Sequence, residues 1–261
     1  MRNWPLQGIE STVGEVDYVI YLVKSTGMLP TVENLDLGYD KPLCSAFAER
    51  YYRETDTLHL PYGEMTITPN DAKFITGASI DGKAVKHKEY AQELEWDKIY
   101  AFTKEVFQRD EEMTKSQMLV VKAKHRIFHL SKLRELFSGT KKLCAEGKEL
   151  LQPFKKIHKY SWGTAILAHS LNELRKTFRA DRNQIGGNMN FLHAWIYLYF
   201  PIFAERAFKN KEWDGNFYGD MYIYKSKKKS QDVVYLKLRR QLNNLTTKDV
   251  VFDPYKGVCP K

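Results

Sequence analysis

TLHLPYGEMTIT, residues 57 to 68, is the stretch that decides the fold. Residues 57–60 and 64–67 are β-prone, and Pro61-Tyr62-Gly63 between them has turn chemistry, because proline fixes φ and glycine accepts unusual backbone angles. The pattern predicts a small antiparallel β-hairpin near residues 57–67. No other region pairs strand signals around a turn as clearly, so we expect no sheet of five or more strands.

The residues after the hairpin have the signature of a helix start. Thr68 is a helix-capping residue, and Pro69 suits the first helical position because its missing N–H would have no intrahelical partner there. Asp71 stands three residues after Thr68, where a carboxylate completes a capping box. We therefore expect a short helix that ends at Gly77.

Helical patterns account for most of the remaining chain. In residues 161–178 and 191–199, apolar side chains recur at helical spacing, and the side chains that we expect to be mostly buried are Trp162, Leu167, Leu171, Trp195, Ile196 and Tyr199. Pro201 should kink or end the second of these helices. Further helices are expected over residues 16–23, 41–51 and 234–245. The predicted fold is a mainly α (α+β) compact helical domain with the small hairpin, over residues 1–261.

Composition limits the class of protein. The chain has 261 residues, of which 43% are hydrophobic and 13% aromatic, so it can bury a substantial core and is not a disordered chain. Lys and Arg number 41 against 32 Asp and Glu, and this net charge of +9 favours an acidic partner such as nucleic acid or an acidic protein surface. A solvated basic surface is the alternative.

Location and redox state follow from what the sequence lacks. No segment has the roughly eighteen uninterrupted apolar residues of a membrane-spanning helix, and residues 1–10 do not resemble a secretory signal. We therefore expect an intracellular protein without membrane association. Cys44, Cys144 and Cys259 are odd in number and widely spaced, which predicts reduced thiols rather than a disulfide framework.

A segment around Gly82 resembles a phosphate-binding loop but departs from it. Residues 77–84 read GASIDGKA, and Ala84 stands where the magnesium-ligating Ser or Thr of a P-loop is required. The segment also follows a helix, whereas a P-loop follows a strand. We predict a structural turn between extended pieces, in which Gly82 has a positive φ and Lys83 contacts no nucleotide.

Metal and catalytic chemistry are not visible in the sequence. His125 and His129 would share one face of a helix, but Arg126 occupies the position of the zincin glutamate, so an ordinary polar face is favoured over a zinc site. The sequence has no GxSxG elbow, and no carboxylate pair has a distinctive spacing. We expect no catalytic, cofactor-binding or metal-binding residues.

A basic cluster near the C-terminus is the candidate binding site. The cluster consists of Lys225, Lys227, Lys228 and Lys229, together with Arg239 and Arg240 on the following predicted helix. Such a cluster is typical of a nuclear-import signal or a nucleic-acid phosphate contact. A solvated loop between two packed elements is the alternative interpretation.

Four ordered segments give the chain a recognisable relative. These are LHLPYGEMTIT at residues 58–68, IDGKAV at 80–85, YSWGTAILA at 160–168, and the segment 242–255 that ends in VFDPY. In their order and spacing they resemble the plant mobile domain family, also called aminotransferase-like plant mobile domains. The resemblance covers most of the chain.

The resemblance implies a function. It points to the MAIN-like (maintenance of meristems) group, which acts in the nucleus in transposon silencing, genome stability and meristem maintenance, with a phosphoprotein phosphatase-like protein as partner. The domain is also carried by transposable elements. We therefore expect a non-catalytic nuclear protein-interaction module. The alternative is a transposon-derived nucleic-acid-binding protein, and the third hypothesis is a cryptic enzyme.

The chain departs from the family pattern at two places. Residues 76–80 read TGASI where the family favours Leu-Gly-Leu-Pro-Val, and only residues 256–261 follow the Pro-Tyr motif. We therefore expect a truncated copy that lacks the C-terminal part of the family domain. The aminotransferase-like label predicts no activity, because a pyridoxal phosphate enzyme needs a phosphate site between a strand and a helix that this sequence does not offer.

Overall fold

The computed structural model describes the following residues of the chain: 21, 24, 38–85, 96–107, 109–122, 125–128, 159–176, 188–205, 207–211, 213, 215, 217–224 and 231–256. These residues divide into two units. Residues 38–85 and 159–256 belong to the first unit, and residues 96–128 belong to the second. The organisation of the whole chain as one domain stays a prediction.

The first unit is mainly helical, with small antiparallel sheets, as predicted for the fold class. Its elements in chain order are α1 (Lys41–Ala48), β1 (Tyr51–Tyr52), β2 (Thr57–Leu60), β3 (Gly63–Met65) and α2 (Pro69–Thr76). In the second unit lie α3 (Trp96–Phe107), α4 (Glu111–Met113), β4 (Leu119–Lys122) and β5 (His125–Phe128). The first unit continues with α5 (Trp162–Arg175), α6 (Met189–Tyr199), α7 (Pro201–Ala204), β6 (Phe208–Lys209), β7 (Tyr222–Ile223), α8 (Gln231–Asn243) and a 3₁₀ turn at Thr247–Asp249.

The predicted hairpin is confirmed, and it belongs to a three-stranded sheet with the order β1-β2-β3. Leu58 faces Met65 across the hairpin and Tyr51 on its other side. The prediction that α1 extends to residue 51 was wrong, because the helix ends at Ala48 and Tyr51 enters β1. Tyr51 is nevertheless buried, so its side chain lies in the core although the backbone has changed from helix to strand.

The predicted start of α2 is also confirmed. The side chain of Thr68 accepts from the backbone N–H of Asp71, while the Asp71 carboxylate accepts from the N–H of Thr68, which together form a capping box. Pro69 is the first residue of the helix. Gly77 ends it in the left-handed conformation, with φ at 71°.

Helix α6 lies at the centre of the first unit. Its residues from Phe191 to Leu198 are all buried, and Trp195 is 0% exposed. Phe200 breaks the helix before α7 begins at Pro201, as predicted. Of the six side chains predicted to be mostly buried, Leu167, Trp195 and Ile196 are buried, whereas Trp162, Leu171 and Tyr199 are half-buried.

The second unit contains a hairpin that the sequence pattern did not reveal. Strands β4 and β5 pair antiparallel, with Val120 opposite Ile127. A π-helical turn at Thr114–Met118 leads into β4, and Met118 is fully buried. Residues 88–150 are rich in charged side chains, and this composition obscures the short apolar strand β4.

Among the described residues, no helix is both long and apolar enough to cross a membrane. The largest sheet in the described part of the chain has three strands, in agreement with the limit of fewer than five.

Cys44 is a buried free thiol whose pKa is raised by burial, while the predictions for Cys144 and Cys259 fall outside the described residues. The helix predicted over residues 16–23 also lies outside them, apart from the helical Tyr21.

Candidate functional site

A buried carboxylate joins two segments of the first unit that are far apart in the sequence. Asp71 is 0% exposed, and its Oδ1 accepts hydrogen bonds from the hydroxyls of Tyr199 at 2.8 Å and Tyr255 at 2.7 Å. Its Oδ2 accepts from the backbone N–H and the hydroxyl of Thr68. Both carboxylate oxygens are therefore engaged within the protein.

Burial and the Asp71 carboxylate keep Tyr199 and Tyr255 neutral. Burial and the adjacent Asp71 carboxylate raise the pKa of Tyr255 and the pKa of Tyr199 above their ordinary values, so both hydroxyls remain hydrogen-bond donors. Tyr255 stacks on Phe74 with ring centroids 4.6 Å apart, and Tyr218 meets it edge-on at 5.2 Å. This arrangement fixes the segment around Tyr255 against α2, and it offers no free carboxylate oxygen to a substrate.

A second close contact joins the Gly82 loop to the start of α5. The N–H of Lys83 donates to the carbonyl of Lys159 at 2.8 Å, and the carbonyl of Lys83 accepts from the N–H of Ser161 at 3.0 Å. The N–H of Gly163 donates to the carbonyl of Ser79 at 2.8 Å. The loop carbonyls thus accept from the N–H groups of Ser161 and Gly163 at the start of α5, where N–H groups have no partner within the helix.

Two glycines make this approach of backbone to backbone sterically feasible. A Cβ on Gly82 would lie 2.6 Å from the carbonyl oxygen of Lys159, and a Cβ on Gly163 would lie 2.7 Å from that of Ala78. Gly82 also has a φ of 119°, which confirms the predicted positive value. The extended pieces predicted around it do not pair with each other, because Lys83 forms its β-bridge with Tyr160 instead.

The loop at residues 77–84 uses the groups that a phosphate-binding loop would present. The N–H of Gly77 donates to the carbonyl of Lys73, and the N–H of Ala78 donates to the hydroxyl of Thr76. The N–H of Asp81 donates to the Ser79 hydroxyl. These bonds support the structural-turn interpretation, and the absence of nucleotide binding stays a prediction.

The four recognisable segments therefore meet in pairs. The 58–68 segment meets the VFDPY segment through the rings of Tyr62 and Phe252, and through Thr68, which binds the Asp71 carboxylate that also binds Tyr255. The 80–85 segment meets the 160–168 segment through the carbonyl of Lys83, which accepts from the N–H of Ser161. These contacts include hydrogen bonds between side chains at Asp71 and hydrogen bonds between backbone groups at the Gly82 loop. The segments by which the chain is recognised build its scaffold.

The predicted basic cluster is only partly described. Lys225, Lys227, Lys228 and Lys229 lie outside the described residues. Arg239 and Arg240 lie on α8 and are exposed, but the Nε of Arg239 is 3.0 Å from Oε2 of Glu49. The Arg239 guanidinium also lies 5.7 Å from the centroid of the Tyr235 ring. Arg239 thus contacts Glu49, the residue that follows α1, and the Tyr235 ring of its own helix, while Arg240 is exposed.

The first histidine of the pair considered from the sequence lies in a strand. His125 is the first residue of β5, and His129 falls outside the described residues, so the shared helix face considered from the sequence was wrong for His125. Within the part of the chain that the structure describes, no group of three or more His, Cys, Asp or Glu side chains is arranged to hold a metal ion. No metal site is therefore built from the described residues.

One surface was missed by sequence reasoning. Val233 and Leu236 of α8 are 69% and 53% exposed, and Lys237 and Arg240 beside them are exposed as well. We name these four residues the outer face of α8. Their spacing at i, i+3, i+4 and i+7 is a visible signal, but the opposite face has the stronger apolar pattern, and its Leu238 and Leu242 are buried.

Comparison with known proteins agrees with this description. The plant mobile domain model matches residues 28–260. The Arabidopsis thaliana protein MAINTENANCE OF MERISTEMS is 25% identical over 241 residues, which cover 85% of this chain and 49% of that protein. Protein MAIN-LIKE 1 of the same plant is 26% identical over 242 residues, 84% of this chain and 46% of that protein.

A further relative has a different kind of name. The Arabidopsis thaliana serine/threonine-protein phosphatase 7 long form homolog is 26% identical over 221 residues, which cover 76% of this chain but 15% of that protein. The chain thus spans about half or less of the length of each of these three relatives. No solved structure matches it significantly.

Proposed function

The chain belongs to the plant mobile domain family, and from this premise we propose that it is a non-catalytic protein-interaction module of the nucleus. Its proposed role is that of the MAIN-like proteins, in transposon silencing, genome stability and meristem maintenance. Support comes from the matches to MAINTENANCE OF MERISTEMS and MAIN-LIKE 1 over most of this chain.

The observation that carries the non-catalytic part of the proposal is the burial of the Asp71 carboxylate and its hydrogen bonds within the protein. The Asp71 carboxylate accepts hydrogen bonds from Thr68, Tyr199 and Tyr255, and both of its oxygens are occupied. A general base must reach a substrate proton within hydrogen-bond distance, and a fully buried carboxylate cannot do so. This supports a scaffold role for the carboxylate, and thereby a module that works by binding.

A phosphatase-like protein is the proposed partner. One relative named as a phosphatase 7 long form homolog contains a segment similar to this chain, so the domain and a phosphatase-type name occur together in one polypeptide. This co-occurrence is the support for a phosphatase-like class of partner.

Nucleic-acid binding is the second candidate function. The net charge of +9 favours it, together with Arg240 and the predicted lysine cluster at residues 225–229. Phosphate contacts release counterions, so binding of this kind should weaken steeply as salt is raised. A duplex DNA titration at several salt concentrations measures this alternative directly.

Affinity purification from plant nuclei tests the proposal. The tagged chain is expressed in plant cells, nuclei are isolated, and the eluate is divided into nuclease-treated and untreated halves. We expect the chain in the nuclear fraction and a phosphatase-like protein in both halves. Exclusion of the chain from nuclei, or loss of every recovered protein after nuclease treatment, would contradict the proposed function.

A further inference from the structure

The outer face of α8 combines exposed aliphatic and cationic side chains. Val233, Leu236, Lys237 and Arg240 lie within two turns on one side of the helix, since about 3.6 residues make a turn. Val233 is 69% exposed and Leu236 is 53% exposed. Single exposed aliphatic residues are common, but here two are adjacent on one face and are bordered by two cations.

The helix presents this face from a fixed position. On its opposite side Leu238 and Leu242 are both 0% exposed. Its flanks are tied to α1 through Glu49, which accepts from the Tyr235 hydroxyl and pairs with Arg239. Burial and the Glu49 hydrogen bond raise the pKa of Tyr235 to about 12, so this donor stays protonated at neutral pH. A rigid element loses little conformational freedom on binding, which favours affinity.

The charges on the face indicate an acidic partner. Arg239 is compensated by Glu49, and so it adds little to the potential outside. Lys237 and Arg240 are exposed, and among the described residues neither has an ion pair or a side-chain hydrogen bond. With respect to the described part of the chain, the outer face therefore carries two positive charges without a counter-charge beside its aliphatic pair, and carboxylates are their natural complement.

The aliphatic pair distinguishes between acidic partners. Phosphates can satisfy Lys237 and Arg240, but a nucleic-acid backbone leaves Val233 and Leu236 without an apolar contact. An amphipathic helix satisfies both sets, since apolar residues at i, i+3 and i+4 can cover the pair while flanking carboxylates reach the cations. A protein segment therefore fits this face better than nucleic acid does.

We propose that the outer face of α8 docks an acidic amphipathic helix of a partner protein. Aliphatic side chains of that helix pack on Val233 and Leu236, and its Asp and Glu side chains pair with Lys237 and Arg240. The inference rests on the proposed function as a protein-interaction module and assigns the surface that performs it.

A displayed pool of random helical 16-residue peptides, selected against the full chain, tests the proposal. We expect the enriched peptides to carry net negative charge and apolar residues at helical spacing. The test variant is Val233→Ser with Lys237→Glu, which should weaken the enriched peptides about tenfold or more because it removes an apolar contact and reverses a charge. Affinity for the unaltered chain should also fall as salt is raised.

The chain offers a control with the same change in composition. Val251→Ser with Lys248→Glu alters an exposed valine and an exposed lysine outside α8, beside the exposed Phe252. This variant should bind the enriched peptides within about twofold of the unaltered chain, because neither residue belongs to the outer face. Loss of binding in the control and retention in the test variant would place the docking surface at residues 248–252 and overturn the proposal.

Other outcomes overturn the proposal as well. Absence of enriched peptides, enrichment of basic peptides, or equal binding to both variants would each do so. The face would be assigned to nucleic acid if acidic peptides fail to bind and a DNA duplex binds the unaltered chain but not the variant Val233→Ser with Lys237→Glu.

The nuclear purification separates this inference from the proposed function. If the phosphatase-like protein still co-purifies with the Val233→Ser, Lys237→Glu chain, the docking surface is wrong but the interaction module stands. If no partner co-purifies with the unaltered chain, the proposed function itself fails.

Discussion

The contacts at Asp71 and Gly82 differ from the outer face of α8 in where their polar and apolar groups are directed. Around Asp71 a carboxylate and two tyrosine hydroxyls satisfy one another inside the protein, and around Gly82 backbone groups do the same. On α8, by contrast, Lys237 and Arg240 face solvent beside exposed aliphatic residues. A segment that makes a family recognisable is therefore not necessarily the segment that binds its partner.

This contrast predicts a ranking of effects on the free energy of unfolding. Changes to the buried contacts should lower stability, in proportion to the volume or hydrogen bonds removed, and leave the docking surface unchanged in the molecules that fold. Changes on the outer face of α8 should weaken docking and leave stability unchanged.

The largest effect is expected at the centre of α6. Trp195 is 0% exposed and contacts the rings of Tyr199 and Phe200. Trp195→Ala should lower the free energy of unfolding by about 3–5 kcal/mol, because it removes a large aromatic group and leaves a cavity. Urea unfolding followed by tryptophan fluorescence and circular dichroism measures the loss. A variant that unfolds like the unaltered chain would mean that α6 is not a core helix.

Acid should destabilise the first unit through His193. This side chain is 4% exposed, and its Nε2 has no hydrogen-bond partner among the described residues. Burial lowers the pKa of His193 to about 3, whereas an unfolded histidine titrates near pH 6.5. The unfolded state therefore binds a proton between these values, and stability is complete above pH 6.5 and falls as pH drops toward 3.

The expected size of the acid effect is about 3 kcal/mol at pH 4, from roughly 1.4 kcal/mol per pH unit. Unfolding free energies of the chain and of His193→Leu are measured across pH 4 to 7.5. Since leucine does not titrate, the slope below pH 6.5 should become shallower by about one proton in the variant. Identical slopes would show that His193 is accessible to protonation in the folded protein.

The Gly82 contact should be sensitive to a side chain but not to the lysine next to it. Gly82→Val should cost about 2 kcal/mol or more, because its Cβ meets the Lys159 carbonyl at 2.6 Å and its φ of 119° is unfavourable for valine. Gly63→Val is the matched control, since Gly63 also has a positive φ but no atom within 4 Å of its Cβ position. Its smaller loss measures the backbone strain alone.

Lys83→Ala should leave stability nearly unchanged, because the bonds of Lys83 at this contact come from its backbone. Calorimetry with ATP and magnesium on the unaltered chain and on Lys83→Ala should record no binding. Saturable binding that disappears with Lys83 would instead restore the phosphate-loop interpretation.

The Asp71 centre should respond to loss of its charge. Asp71→Asn should cost about 2 kcal/mol, since an amide keeps one acceptor but cannot accept from the N–H of Thr68 with its nitrogen. Asp81→Asn, an exposed carboxylate in the Gly82 loop, is the control with the same chemical change and should cost almost nothing. Equal losses in the two variants would remove the special role of the buried carboxylate.

Local sequence signals predicted the elements that are fixed by nearby residues. The hairpin, the cap formed by Thr68 and Asp71, the end of α2 at Gly77 and the break at Pro201 all depend on residues a few positions apart. The bond from Tyr255 to Asp71 spans 184 positions, so no local pattern could announce it. Such a contact is specified only when the core has brought both segments together.

The candidate site was harder to predict for a related reason. Charge runs such as residues 225–229 attract attention in a sequence, whereas an exposed valine or leucine looks like part of a core until the helix is placed. Arg239 carries a charge that Glu49 compensates, and only the tertiary structure reveals that partner. Val233 and Lys237 became candidates because the opposite face of α8 proved to be the buried one.

The smallest effect on stability is expected on the outer face of α8. Val233→Ser with Lys237→Glu should change the free energy of unfolding by less than about 0.5 kcal/mol, because both side chains are exposed. Serine also has a helix propensity similar to that of valine, and glutamate to that of lysine. Thermal melting by circular dichroism checks this. A loss comparable to that of Asp71→Asn would mean that the face packs against another part of the chain.

Urea unfolding with and without a peptide enriched on the unaltered chain tests the separation of scaffold and docking surface most directly. Peptide at about a hundred times its dissociation constant should raise the unfolding free energy of the unaltered chain by about 2.7 kcal/mol, because it binds only the folded state. Asp71→Asn should start lower and show the same rise. Val233→Ser with Lys237→Glu should start at the unaltered value and show a much smaller rise. The reverse pattern, with the rise lost in Asp71→Asn and kept in the α8 variant, would contradict the account.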